Sequence, residues 1–281
     1  MQGRTLPGME SGPTFIGIGA HKAGTTWLFS MLARHPEVGF GHSGEPGLAE
    51  KEHHFWCRPL HGGKSSTVPV EGWPTGEALE AYLGSFGIAP VRGEITPHYA
   101  LLPDETIERL AGALPRVRIV YLVRDPRRRA WSHAFARLME ERGEAPEREV
   151  RAWEGPSEGG FSDDDVDFMV EILNRRPAQA YSDYGTVIER WRRFLDPDAL
   201  LVVRSDDPDR RQMLRRLLTH IGADSGFADR VPEESLSERI NPHRPAVDAI
   251  PDRIQQVLDE IYLPFVHRFE EITGMSVEGW R

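Results

Sequence analysis

Two short segments combine residue types and spacings that suit anion chemistry. The first is Gly19 to Thr26, GAHKAGTT, with glycines at the two positions of the phosphate-binding pattern G-x-x-x-x-G-K-[ST]. Its lysine is displaced: Thr25 follows the second glycine, and the cation is Lys22, inside the loop. A glycine turn leading into a helix still offers backbone N–H groups and a positive dipole end, so phosphate binding survives the change. What changes is which oxygen the cation meets. A γ-phosphate with bridging magnesium would need the standard lysine and a metal-holding carboxylate after an apolar strand. Only Asp125 stands in such a place, and Pro126 and three arginines follow it, a poor metal site.

The second segment is LVRDPRRRAWSH. Arg124 offers a forked contact to a phosphate and Ser132 a hydroxyl donor, with Arg127, Arg128 and Arg129 raising the local potential. The bland alternative is a salt-bridged Arg124–Asp125 turn ahead of a solvated helix start. Further back, EKEHHFW brings together a carboxylate, Glu52, and two imidazoles, His53 and His54. Either type takes a proton from an attacking group if it lies within hydrogen-bond reach. Cys57, the single cysteine, excludes an intrachain disulfide framework and reads as a buried thiol.

The elements that position these segments follow from apolar runs. TFIGIG from Thr14, RIVYLV from Arg118 and ALLVVRSDD from Ala199 read as buried parallel strands. After the first, Trp27, Leu28, Met31 and Leu32 repeat at helical spacing until Pro36; after the second, a loop turns into a long helix. Val91 to Pro97 reads as a short strand, and helices are expected over Glu77–Phe86, after Pro103, over Tyr184–Phe194, through Met213–Leu218 and over Ile254–Ile272, the last kinked at Pro264. Residues 36–76 read as a long surface connection and the acidic stretch 143–165 as an insertion or lid. Strands alternating with helices imply an α/β, P-loop-like three-layer fold: a mainly parallel central sheet flanked by helices, in a single domain over 1–281.

Taken together, these motifs resemble a known family. HKAGTTWL resembles the 5'-phosphosulfate-binding loop of sulfotransferases that use 3'-phosphoadenosine 5'-phosphosulfate (PAPS), and VRDPRRRAWSH resembles their 3'-phosphate-binding segment. EKEHHFW is similar to the Lys-Glu-x-x-Phe-Phe segment of heparan-sulfate-type and many bacterial carbohydrate sulfotransferases, and GEITPHY to their Glu-x-Thr-Pro-x-Tyr segment. The resemblance covers about residues 14–137, with weaker similarity in YSDYGTVIERWRRFL and the last helix. It implies sulfuryl transfer from PAPS to a hydroxyl or amine by in-line displacement, with PAP as product and no metal. Glu52 is implied as the base, with His54 and His53 competing. Lys22 is implied at the 5'-phosphosulfate with Ala23, Gly24, Thr25, Thr26 and Trp27, and Arg124 and Ser132 at the 3'-phosphate. Two departures stand out. Ile95 replaces a frequent lysine, and INPHRP replaces a Lys-Gly-Arg run, leaving Arg244, with Arg239, as substitutes at the nucleotide.

Lys+Arg 34 against Asp+Glu 44 gives a net charge of -10, which argues against generic binding to nucleic acid, anionic membrane or a long polyanionic acceptor. A small-molecule, sugar or natural-product acceptor fits better. The start MQGRTLPGMESGP has no apolar signal region and no run is long enough to span a bilayer, so a cytoplasmic protein is expected. Arginine far outnumbers lysine, which suggests bacterial coding bias. The alternatives are a P-loop nucleotide kinase, which would want Lys-Ser or Lys-Thr after Gly24, and a silent nucleotide- or partner-binding protein of the same fold.

Overall fold

A computed structural model describes residues 12–41, 51–57, 76–143, 160–238 and 250–280. Among these residues the strands are β1 (Phe15–Gly19), β2 (Val38–Phe40), β3 (Val91–Ile95), β4 (Arg118–Val123) and β5 (Leu200–Arg204). The helices are α1 (Thr25–Leu32), α2 (Glu77–Gly84), α3 (Asp104–Ala113), α4 (Pro126–Glu141), α5 (Asp163–Asn174), α6 (Arg176–Ala180), α7 (Tyr184–Arg192), α8 (Arg210–Ile221), α9 (Phe227–Arg230), α10 (Glu233–Ser237) and α11 (Asp252–Thr273). A 3-10 turn, Pro97–Leu101, follows β3. The chain divides into two compact units. One draws on Met1–Ala20, Gly24–Leu122 and Glu189–Glu238, the other on His21–Ala23, Val123–Ile188 and Arg239–Arg281.

The first unit is built on a five-stranded sheet of order β2-β3-β1-β4-β5, with β1 parallel to both β3 and β4, and β2 parallel to β3. Every residue of β1 is buried, and β4 is buried from Ile119 to Val123. Helix-covered parallel strands lose water on both faces, which is why these segments read as unbroken apolar runs. β2 corrects the reading of residues 36–76 as connection. Three residues pair with Val91–Gly93 at the sheet edge, and Phe40 packs its ring against Phe15 and Phe29. A strand that short shows no period in sequence.

The second unit packs α4, α5 and α11 around a core of Trp131, Phe135, Leu138, Met169, Leu173 and Leu258, with Tyr262 donating its hydroxyl to Leu173 O at 2.6 Å. α5 is a correction too. Ser162 accepts from Asp165 N while the Asp165 carboxylate accepts from Ser162 N, a reciprocal cap that starts the helix where a lid was expected. Phe161, just before it, lies edge-on to Trp131 and Phe135. Residues 160–165 are therefore the start of a packed helix; the rest of the expected insertion, 144–159, lies outside the described residues. α11 is one continuous helical segment, Asp252–Thr273, that contains Pro264.

Candidate functional site

In the first unit, β1 ends at Gly19 and α1 opens from Gly24. Gly24 caps α1 at φ +94°, a backbone conformation that side chains rarely adopt. No side chain caps this helix and no acidic residue sits in its first turn. The first N–H groups of a helix have no partner within it, so this end presents donors and a positive dipole to an anion. Thr25 is buried and Gly24 exposed. Trp27 is only 6% exposed, with its indole N–H on Ser235 O at 3.3 Å and the Arg210 guanidinium over its ring. Those contacts make Trp27 an anchor for α1.

In the second unit, Lys22 holds φ +64°, left-handed for a residue with a side chain, and Arg124 donates from Nη1 to Lys22 O at 3.2 Å. The arginine that follows β4 thus ties down the backbone of the loop lysine. Ala23 is buried. Asp125 caps α4 by accepting from Arg127 N at 2.9 Å. Burial pushes its carboxyl up, against the pull of Arg127 and Arg128.

Two of the three arginines in the run are taken up by other parts of the second unit. Arg127 is bound to Asp259 at 2.8 Å and to Trp280 O. Arg129 is fully buried and donates to Ser182 Oγ at 2.6 Å and Ala178 O at 2.7 Å. Only Arg128 of the three is exposed. Ser132 is half-buried on α4, two helical turns beyond the cap. Beside it His133, 5.7 Å from the His21 ring, has its pKa lowered to about 3 by burial and then by the cations Arg129, Lys22 and Arg137. Burial is the larger cause; the cations, Lys22 among them, add to it.

Back in the first unit, Glu52 lies on the Lys51–Cys57 loop. Its Oε1 accepts from Lys51 Nζ at 2.5 Å and its Oε2 faces His54 Nε2 at 3.2 Å. Burial would raise its pKa, but the His54 hydrogen bond and the Lys51 ammonium more than offset it, and the carboxyl is held at about 2. His54 itself holds φ +53°, and its Nδ1 lies 3.5 Å from Cys57 Sγ. Cys57 is buried, as expected. His53 turns the other way, stacked on Phe86 at 4.9 Å, which leaves His54 as the imidazole on the carboxylate.

What holds this loop was missed in the sequence. Glu94 is fully buried at the end of β3 and accepts four hydrogen bonds: Tyr82 Oη at 2.6 Å, Thr96 Oγ1 at 2.5 Å, Tyr99 Oη at 3.1 Å and the backbone N–H of His53 at 3.1 Å. Two further bonds grip the loop, Ile95 N to Lys51 O at 2.7 Å and Trp56 N to Tyr99 Oη at 3.2 Å. Burial and the Glu94 charge push both tyrosine hydroxyls well up, so they remain donors. His98, on the turn after β3, brings its ring to 5.2 Å from that of His54. The segment GEITPHY was the signal for Glu94, Thr96, His98 and Tyr99, its chemistry unread; nothing in the sequence pointed to Tyr82. Arg239 and Arg244 lie outside the described residues.

No protein-family model matches the chain, and no curated protein matches it. Among solved structures, a sulfotransferase from Alicyclobacillus acidocaldarius is similar over 96% of this chain and 98% of its own, with a TM-score of 0.62 and 21% identity. The sulfotransferase domain of the Synechococcus PCC 7002 olefin synthase gives 0.48 at 15% identity, covering 94% and 95%. A mouse sulfotransferase complexed with PAP gives 0.44 at 16%, covering 96% and 87%. The likeness to the Alicyclobacillus protein establishes the fold: an α/β architecture with a mainly parallel central sheet, the one that sulfotransferase has.

Proposed function

We propose that the protein is a sulfotransferase, moving a sulfuryl group from PAPS to a hydroxyl or amine of a small-molecule or carbohydrate acceptor, with both compact units serving one domain. The observation that carries this reading is the loop lysine, Lys22, in left-handed backbone with its carbonyl held by Arg124, and with Arg129 and Arg137 adding a cationic field that, second to burial, lowers the His133 pKa. Such a field suits the two anionic ends of the donor. The uncapped start of α1, with the N–H groups of Thr25 and Thr26, suits the phosphosulfate.

In this reading the acceptor oxygen or nitrogen bonds to sulfur as the bond from sulfur to the bridging oxygen breaks. Lys22 meets the charge that gathers on that oxygen, a contact strongest in the transition state. Arg124 and Ser132 read the 3'-phosphate. The acceptor's proton goes to the Glu52–His54 pair. Glu52, ionised and braced by Lys51, either accepts it directly or orients His54 to do so, and the 3.2 Å contact allows its passage between the two.

Calorimetric titration with adenosine 3',5'-bisphosphate, with ATP and adenosine 5'-monophosphate as controls and no added metal, tests the donor assignment. Binding that requires the 3'-phosphate is expected. Preference for Mg-ATP would replace this reading with a nucleotide kinase, and silence toward all three would leave only the fold.

A further inference from the structure

Glu52, His54 and His98 converge so that one ligand atom from each lies within 4.8 Å of the others. We propose that this cluster binds a divalent transition-metal ion of the zinc class, and that the bound ion blocks the carboxylate on which proton removal depends. The site stands on geometry alone; the block on turnover rests on the function proposed above.

Two imidazoles and one carboxylate form a donor set of borderline softness, suited to zinc, cobalt or nickel rather than magnesium or calcium. Two ligand atoms on one such ion, each about 2.0–2.2 Å from it, are about 2.9–3.5 Å apart. The Glu52 Oε2 to His54 Nε2 separation of 3.2 Å falls inside that span. Small side-chain rotations bring in His98, whose ring is tilted 55° to that of His54 at 5.2 Å. Lys51 occupies Oε1, the other carboxylate oxygen, so Oε2 is the one turned to the histidine.

The surroundings resemble those of ligating groups. With Nε2 toward the ion, the other ring nitrogen of His54 lies 3.5 Å from Cys57 Sγ, an outer contact that fixes the ring. The backbone at His54 is held at φ +53°, a conformation that persists only where the surroundings impose it. His98 stands on the turn next to Tyr99, whose hydroxyl belongs to the Glu94 network. The loop and the turn that supply the ligands are therefore fastened to each other, which lowers the ordering cost of closing them on an ion. Side-chain exposures of 28% for Glu52 and 24% for His54 leave the cluster open to solvent, so water can complete the coordination.

Chelator-stripped full-length protein titrated with Co2+, read by visible absorption, and with Zn2+, read by calorimetry, tests the site. One equivalent is expected, with affinity lowered at least about tenfold in His98→Ala and His54→Ala and unchanged in His267→Ala, an exposed histidine on α11. Far-ultraviolet circular dichroism checks that the variants fold, and His98→Gln, which keeps the bulk, replaces His98→Ala if it does not. Absence of a bound equivalent in the wild-type protein, or wild-type affinity in the His98 variant, overturns the site. Because the readout needs no nucleotide, the two readings fail separately. Co2+ bound without PAP removes the sulfotransferase and leaves the ion site; PAP bound without Co2+ does the reverse.

Discussion

The Lys51–Cys57 loop and the His21–Ala23 turn each hold a side chain to which a catalytic role is proposed, by opposite means. Glu52 is placed by side chains: a buried carboxylate, two tyrosines and a threonine fix the backbone around it. Lys22 is placed by backbone geometry, a left-handed residue whose carbonyl is held by Arg124. The difference suits their tasks. A proton acceptor must lie within a few tenths of an ångström of hydrogen-bond distance, which a satisfied buried network secures. A cation meeting a diffuse negative charge needs field more than fine placement, and Arg129 and Arg137, which act on His133 second to burial, contribute to one.

Five substitutions probe this contrast. Glu52→Gln should keep PAP binding and lower turnover roughly 100- to 10,000-fold, the usual worth of a positioned base; near-normal turnover in single-turnover kinetics would move the role to His54 or the substrate. Lys22→Ala should lower turnover about 100-fold or more with a smaller change in PAP affinity, and an unaltered rate would remove its transition-state role. Glu94→Ala strands three hydroxyls and an N–H in the interior and should cost about 3 kcal/mol or more in chemical denaturation. If it instead melts like wild type, the side-chain account of the loop fails.

The smaller effects sharpen the other half. Arg124→Ala should weaken PAP roughly 10-fold while leaving adenosine 5'-monophosphate unchanged; equal losses for both would place the arginine's value in holding Lys22. His133 gives a pH signature. Its folded pKa of about 3 lies below the ordinary 6.5, so on acidification the unfolded chain takes the proton first. Stability is thus lost as pH falls from about 6.5 toward 3, and His133→Asn should flatten that limb in denaturation curves at stepped pH.

The strands β1, β4 and β5 were legible because burial on both faces leaves an unbroken apolar run, and α1 and α4 because their apolar residues repeat at helical spacing. β2 was not, since three residues at a sheet edge carry no period. α5 was hidden by its own cap: Asp163, Asp164 and Asp165 read as a solvated acidic run, whereas acidic residues stabilise a helix start, and Ser162 with Asp165 caps it. The arginines after Asp125 were misread for a related reason. Charge in a sequence does not say whether it faces water, and Arg127 and Arg129 are consumed by Asp259, Ser182 and backbone carbonyls from distant segments.

By itself, then, the sequence determined the class of fold and singled out the residues proposed to carry chemistry: Lys22, Glu52, Arg124 and Ser132 stand in short contiguous motifs, and contiguous motifs survive in one dimension. Only the tertiary structure decided which imidazole meets Glu52, that Trp27 bonds to Ser235 and Arg129 to Ser182, and that Glu94 and His98, over 40 positions along the chain, serve the same loop. The last of these turns on β3 lying beside the loop, where Ile95 N bonds to Lys51 O. No local periodicity encodes them, because a hydrogen bond is fixed by the distance between atoms and not by the number of residues between them.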